Sequence, residues 1–124
     1  MERVVNTKFY TFNQNNSGGS FVADKKNGIS EFVIIEALTA DDANTRAENI
    51  GIYFNGCEDG NDCPCCGDRW YQASESDAEK IPSLYGKPVE EAEAGWFRKD
   101  VFIHYMDGKI KEVLLKEPIS TEKL

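Results

Sequence analysis

The sequence lacks several features, and each absence excludes a class of protein. It contains no apolar run of about 18 residues, so it predicts no membrane-spanning helix. Residues 1–6 lack the apolar core of a signal peptide, so we expect the cytoplasm, a reducing compartment. Only one histidine is present, and neither a nucleophile-elbow nor an H-E-x-x-H motif occurs. Because no general base or activated nucleophile can be assigned, we predict a protein without enzymatic activity, with hydrolase or thiol chemistry as the less favoured alternative.

Basic side chains are also scarce. The chain has 14 Lys and Arg against 22 Asp and Glu, a formal charge of -8. Such a charge repels phosphate backbones, which disfavours binding to nucleic acid or anionic membranes through bulk charge. The remaining candidate binding partners are a small-molecule ligand and a basic protein.

Apolar residues are nevertheless plentiful. Hydrophobic side chains make up 40% of the 124 residues and aromatic ones 11%, which is enough for a folded core. The length fits one domain over residues 1–124, with a polar, frayed tail from about residue 116.

The first part of the chain predicts strands. Residues 8–13 are aromatic and β-branched, and Phe21-Val22 opens a second strand. Residues 24–28 form a turn around Asn27-Gly28. A third strand, residues 29–37, is apolar on both faces and is therefore placed centrally in a sheet.

A helix follows. Thr39 is a suitable N-cap for this helix, with Asp42 three positions later. Gly51 is suited to the C′ position, where the helix ends. Residues 52–54 then predict a short strand leading into the cysteine-rich loop.

The last part predicts a hairpin. Its arms are residues 101–105 and 109–115, joined by a turn at 106–108. Residues 74–94 before it are acidic and irregular, with one helical turn at 90–94. The predicted fold is α+β: a mainly antiparallel sheet, one principal helix and an irregular cysteine-rich loop.

All four cysteines lie within ten residues, as Cys57, Cys63, Cys65 and Cys66. The C-x-x-C-G turn at Cys63 to Cys66 resembles half of a structural zinc site, with Cys57 as a third ligand and Cys65 or His104 as the fourth. Packed thiols or a disulfide are the alternatives. Acidic neighbours disfavour a thiolate, so a catalytic cysteine is not expected.

A second distinctive stretch contains only amide, serine and glycine residues. It comprises Gln14, Asn15, Asn16, Ser17, Gly18, Gly19 and Ser20. Consecutive N–H groups in such a loop can form an anion-binding nest, and the amides can bind a base, ribose or peptide. The alternative is a polar hairpin tip.

Arg69 and Trp70 offer two interpretations. Arg69 could bind a carboxylate or phosphate, with Trp70 as a stacking wall. Alternatively, Arg69 pairs with Asp62 or Asp68 while Trp70 anchors the loop on the sheet. His104, in an apolar strand, is either a strand histidine or a metal ligand.

Three blocks in this order resemble a family of small hypothetical proteins from tailed bacteriophages. They are FNQNNSGGSF (12–21), IGIYFNG (50–56) and DCPCCGDRW (62–70). The resemblance implies a phage accessory protein made in the host's bacterial cytoplasm, of a kind that often blunts host defence.

Together these observations predict a counter-defence protein that binds and sequesters a small ligand, most concretely a nucleotide-type defence signal. Residues 14–20, Arg69 and Trp70 would form the site, completed across a homo-oligomer. The alternative is a zinc-stapled module whose acidic segment 74–94 inhibits or adapts a host protein.

Overall fold

The computed structural model describes residues 7–15, 23–60, 67–84, 87–89 and 100–114. Within these ranges it contains six strands and one α-helix: β1 (Lys8–Asn13), β2 (Phe32–Ala37), α1 (Ala40–Ile50), β3 (Ser83–Leu84), β4 (Lys87–Pro88), β5 (Asp100–His104) and β6 (Ile110–Leu114). Short 3₁₀ helices cover Lys25–Asn27 and Glu75–Asp77. No helix in these ranges has both the length and the apolar character needed to cross a bilayer.

The main sheet has the strand order β1-β2-β5-β6. β1 pairs with β2 and β5 pairs with β6 in antiparallel fashion, whereas β2 and β5 are parallel. Strands β3 and β4 form a separate two-stranded sheet. The α+β prediction is confirmed, and the parallel pairing at the centre was not foreseen.

Strand β2 is central, as its apolar sequence predicted. Val33 and Ile34 point to opposite faces of the sheet, yet both are fully buried. On one face Val33 and Ile35 join Tyr10, Phe12 and the small residues of α1 in one core cluster. On the other face Ile34 joins a second cluster that includes Leu84, Val89, Val101 and Ile103. The sheet therefore has a hydrophobic core on each side.

Helix α1 begins and ends where the sequence predicted. The Thr39 side chain accepts a hydrogen bond from the Asp42 N–H, and Gly51 adopts a left-handed conformation. The N–H groups of Gly51 and Ile52 return to the carbonyls of Glu48 and Ala47, which is a Schellman motif.

That motif explains one wrong prediction. Residues 52–54 do not form a strand, because the Ile52 N–H already closes the helix and Ile52 and Phe54 pack into the core instead. The third strand also begins later than predicted, at Phe32, with Ile29 in an isolated bridge to Asp24. The turn at Asn27-Gly28 is confirmed.

The C-terminal hairpin is confirmed, with β5 starting at Asp100 and β6 ending at Leu114. β6 is the last strand of its sheet, and residues 110–112 are exposed. Three predictions lie outside the described residues: the strand at Phe21-Val22, the helical turn at 90–94 and the frayed tail.

Candidate ligand-binding cleft

The end of β1 meets the segment that leaves the cysteine-rich loop. The guanidinium Nη1 of Arg69 donates a 2.8 Å hydrogen bond to Oε1 of Gln14. The Gln14 amide also donates to the Ser30 carbonyl, and its backbone N–H to the Glu31 carbonyl. The structure therefore brings Gln14, the first residue of the predicted stretch 14–20, into contact with Arg69 of the second predicted region.

Asn15 extends this contact by one residue. Its backbone N–H donates to the Arg69 carbonyl and its side-chain amide to the Asp68 carbonyl. Gly67, with a positive φ of 88°, lies close to both Asn15 and Tyr71: a Cβ there would stand 3.0 Å from the Tyr71 hydroxyl. The positive φ favours glycine at this position, and a Cβ there would also require Tyr71 to shift slightly.

Two predicted ligand-binding side chains have internal roles in this structure. Gln14 is buried, and its amide bonds Arg69 and Ser30 rather than facing solvent. Trp70 is only 2% exposed and packs in the core beside the helix, so it presents no stacking face. The anchoring interpretation of Trp70 is the one that its burial supports. The remaining loop residues, Asn16, Ser17, Gly18, Gly19 and Ser20, lie outside the described part of the chain.

An open cleft of about 600 Å³ lies along this junction. It is lined by Thr11, Phe12, Asn13, Gln14, Asn15, Tyr71, Gln72, Ala73 and Asp77. Its volume falls within the range of small-molecule sites, roughly 300–1,000 Å³. Amide side chains form much of the wall, and the exposed ones, Asn13 and Gln72, offer hydrogen-bond donors and acceptors.

Tyr71 supplies the aromatic surface that Trp70 does not. Its side chain is 57% exposed at the edge of the cleft, directly after the buried Trp70. The sequence contained a signal for this, since neighbouring residues of an extended segment point in opposite directions. An anchored Trp70 therefore implies an outward Tyr71, which the sequence prediction missed together with Asn13 and Gln72.

Helix α1 holds the far side of the cleft in place. Asn44 is buried in the helix, and its amide both donates to the Ala73 carbonyl (3.1 Å) and accepts from the Ala73 N–H (2.8 Å). The helix thus fixes the backbone of the segment that carries Tyr71 and Gln72.

Among the described residues that line the cleft, Asp77 is the one with a charged side chain. Asp77 accepts hydrogen bonds from the Ser74 N–H and hydroxyl, which closes the capping box of the short 3₁₀ helix. No Lys or Arg in the described part of the chain lines the cleft; Arg69 contacts two of the lining residues, Gln14 through its guanidinium and Asn15 through its carbonyl. The walls therefore suit the uncharged, hydrogen-bonding part of a ligand better than a phosphate.

The cysteine-rich loop begins and ends beside the same segment. The Cys57 N–H donates a 2.9 Å hydrogen bond to the Asp68 carboxylate, which brings the two ends of the loop together. Cys63, Cys65 and Cys66 lie outside the described residues. Within the ranges that are described, no three His, Cys, Asp or Glu side chains cluster as a metal site would require.

His104 lies in β5, as a strand histidine. Its Nε2 is 2.8 Å from the Gly28 carbonyl, which can only accept, so Nε2 carries a proton. Burial lowers the pKa of the His104 imidazole, and the bond to Gly28 offsets this only in part. The ring is therefore neutral at neutral pH.

Comparison with known proteins identifies a family but not an activity. The chain belongs to the family described as a domain of unknown function, DUF7296, whose profile matches residues 7–121. The searches of curated proteins and of solved structures found no match.

Proposed function

We propose that this DUF7296 protein binds and sequesters a small nucleotide-type ligand in the cleft beside β1, without altering it chemically. The observation that carries the proposal is the convergence of Gln14 and Asn15 with residues 67–73, which places several amides and an exposed tyrosine around one cleft. Amides can read the edge of a base, and Tyr71 can stack on its face.

The charge distribution suggests how such a ligand lies. Asp77 is acidic and Arg69 stands behind Gln14, so we expect the base and ribose inside the cleft and the phosphates toward solvent. Residues 16–20, which the sequence predicts to bind the ligand, follow Asn15 in the chain. We propose that they donate N–H groups to those phosphates.

The biological role that we propose is removal of a host defence signal in the bacterial cytoplasm. It rests on the resemblance of three sequence blocks to tailed-phage proteins. We further propose that a structural zinc ion, held by Cys57, Cys63, Cys65 and Cys66, staples the loop. The hydrogen bond from Cys57 to Asp68 supports this staple because it already closes the loop at its base.

The alternative, an acidic module that contacts a basic host protein, has less support. In the segment 74–84, Glu75 accepts hydrogen bonds from the Tyr10 hydroxyl and the Ala40 N–H, and Asp77 accepts from Ser74. These two carboxylates stabilise the fold, which makes them less available to a partner.

Calorimetric titration with cyclic and linear nucleotides and the matching nucleosides tests the proposal. We expect saturable binding that Tyr71→Ala weakens at least tenfold and Tyr71→Phe leaves nearly unchanged, since stacking on an aromatic ring contributes about 1–3 kcal/mol per base. Ile81→Ala is the matched control, because Ile81 is about as exposed but lies outside the cleft. The absence of binding to every member of the panel would overturn the proposal.

A further inference from the structure

A second cavity lies toward the other edge of the sheet, at the β5–β6 hairpin, whereas the cleft lies beside β1. It is enclosed by the C-terminal half of α1 and the β5–β6 hairpin and has a volume of about 250 Å³. Its floor is Ile35 of β2, and its walls come from Asn49 and Ile50 of the helix and from His104, Tyr105 and residues 108–110 of the hairpin. It shares no lining residue with the cleft beside β1.

The charged side chains that line this cavity are basic, although the chain as a whole is acidic. Acidic residues outnumber basic ones 22 to 14 over the sequence, yet none of those in the described ranges lines the cavity. Arg46 and Lys109 both do, one from each wall. Two cationic side chains therefore face this cavity on an acidic protein, and cationic side chains attract anions.

Neither cation is held in a strong ion pair. Arg46 donates from Nε to Asp42 at 3.2 Å, and Lys109 lies 3.9 Å from Asp107. The side chains of the Arg46–Asp42 pair are about one third exposed and those of the Lys109–Asp107 pair more than half exposed. Ion pairs with this access to water contribute little to stability. The bond to Asp42 uses Nε of Arg46, and the two terminal nitrogens of the guanidinium suit a carboxylate or phosphate.

The rest of the lining is apolar or neutral. Ile35, Ile50 and Ile110 provide hydrocarbon surface, and Ile110 is about half exposed at the rim. Asn49 adds a neutral hydrogen-bonding group. His104 also lines the cavity, and its Nε2 is bonded to the Gly28 carbonyl.

We infer that this cavity binds a small organic anion, with its carboxylate or phosphate group between Arg46 and Lys109 and a short hydrocarbon body against the three isoleucines. The volume corresponds to about eight water molecules at roughly 30 Å³ each, so only a small metabolite fits. The site is distinct from the nucleotide-type cleft and does not depend on it.

Two features limit the affinity. The cavity adjoins the C-terminal end of α1, where the helix dipole is negative, and the whole protein carries a charge of -8. Binding therefore depends on the short-range contacts to Arg46 and Lys109, and it weakens as salt is added.

An amide NMR titration of the full chain in low-salt buffer tests the inference with inorganic phosphate, acetate and butyrate as probes. We expect saturable shifts confined to residues 46–50 and 104–110, with chloride at equal ionic strength producing none. Butyrate should bind more tightly than acetate by about two- to fourfold for each methylene that it buries. Shifts that do not saturate, or that chloride reproduces, would overturn the proposal.

Charge variants locate the site. Lys109→Gln and Arg46→Gln should each weaken binding about three- to tenfold, and Arg46→Lys should weaken it less. Lys80→Gln is the matched control, because it removes the same charge from an exposed residue that lies outside the cavity. Equal effects of Lys80→Gln and Lys109→Gln would show general charge attraction and contradict a site. The variant Tyr71→Ala should leave these shifts unchanged, which separates this test from that of the cleft.

Discussion

Gln14 and Arg69 stand 55 positions apart in the chain and are joined by a 2.8 Å hydrogen bond at the point where β1 ends. The bond links a buried neutral amide to a charged guanidinium, and hydrogen bonds to charged groups are among the stronger ones, about 1.5–3 kcal/mol. It holds the amide-rich segment against the backbone that carries Tyr71.

Replacing Gln14 by Ala should lower the free energy of unfolding by about 2–3 kcal/mol, because Arg69 and the Ser30 carbonyl each lose a buried partner. Urea denaturation measures this change. Gln72→Ala is the control: Gln72 is exposed in the same cleft, so its loss should change stability by less than about 0.5 kcal/mol while affecting ligand binding. A Gln14 variant as stable as the wild type would show that this bond is dispensable.

The variant Asn44→Ala should be destabilised by about 2–3 kcal/mol. It removes both hydrogen bonds to Ala73 and leaves a part-buried N–H and carbonyl without these partners. Thermal unfolding compares it with Thr45→Ala, an exposed helix position where alanine is tolerated. If the two variants unfold alike, α1 does not support the cleft through Asn44.

Alanine substitutions at two glycines distinguish the cost of a steric clash from the cost of backbone strain. Gly28 and Gly108 both have positive φ, but a Cβ on Gly28 would lie 2.7 Å from the His104 ring, whereas one on Gly108 meets no atom within 4 Å. Gly108→Ala should therefore cost only the left-handed strain, about 1–2 kcal/mol, and Gly28→Ala distinctly more. Chemical denaturation of both variants measures the difference, and equal losses would contradict the close packing of Gly28 on His104.

Stability should fall as the solution is acidified below the ordinary histidine pKa of about 6.5. Burial lowers the pKa of His104 in the folded protein, so the unfolded chain binds the proton first. The contribution of the neutral His104 ring to the free energy of unfolding is complete above about pH 6.5. It is lost as the pH falls toward the pKa of His104 in the folded protein.

Because the chain has one histidine, an NMR titration of its imidazole reads this pKa directly. Unfolding measured from pH 7.5 to pH 5.5 should show a decline that His104→Gln lacks. An unshifted imidazole titration would contradict the burial argument.

Native protein should contain about one zinc ion per chain, since four thiolates complete a tetrahedral site. A strong chelator should then lower the melting temperature, and the same chelator saturated with magnesium should not. Cys66→Ser should reduce the bound metal. A metal content of zero would leave packed thiols or a disulfide, which thiol titration with and without reductant distinguishes.

Local signals in the sequence were sufficient for the local parts of this fold. Thr39 and Gly51 set the ends of α1 because caps depend on a few neighbouring atoms. The apolar run of β2 identified a central strand because burial on both faces leaves no polar side. Residues 52–54 misled the prediction because their β-branched and aromatic side chains also suit the buried end of a helix cap.

The long-range arrangement was not predictable in the same way. Nothing local to β5 specifies that it lies parallel to β2, since the choice of partner depends on the packing of the whole sheet. Trp70 and Tyr71 show the same limit at the site. The sequence suggested stacking on Trp70, but the tertiary structure buries that ring and leaves the neighbouring Tyr71 exposed.

The parallel pairing of β2 with β5 has a consequence for synthesis and folding. β1, β2 and α1 are contiguous in the chain and can associate early, but the second edge of β2 has no partner until residues 100–104 leave the ribosome. During that interval an apolar strand edge is exposed, and such an edge can pair with another chain. We therefore expect truncation before residue 100 to yield an aggregating fragment rather than a smaller folded domain.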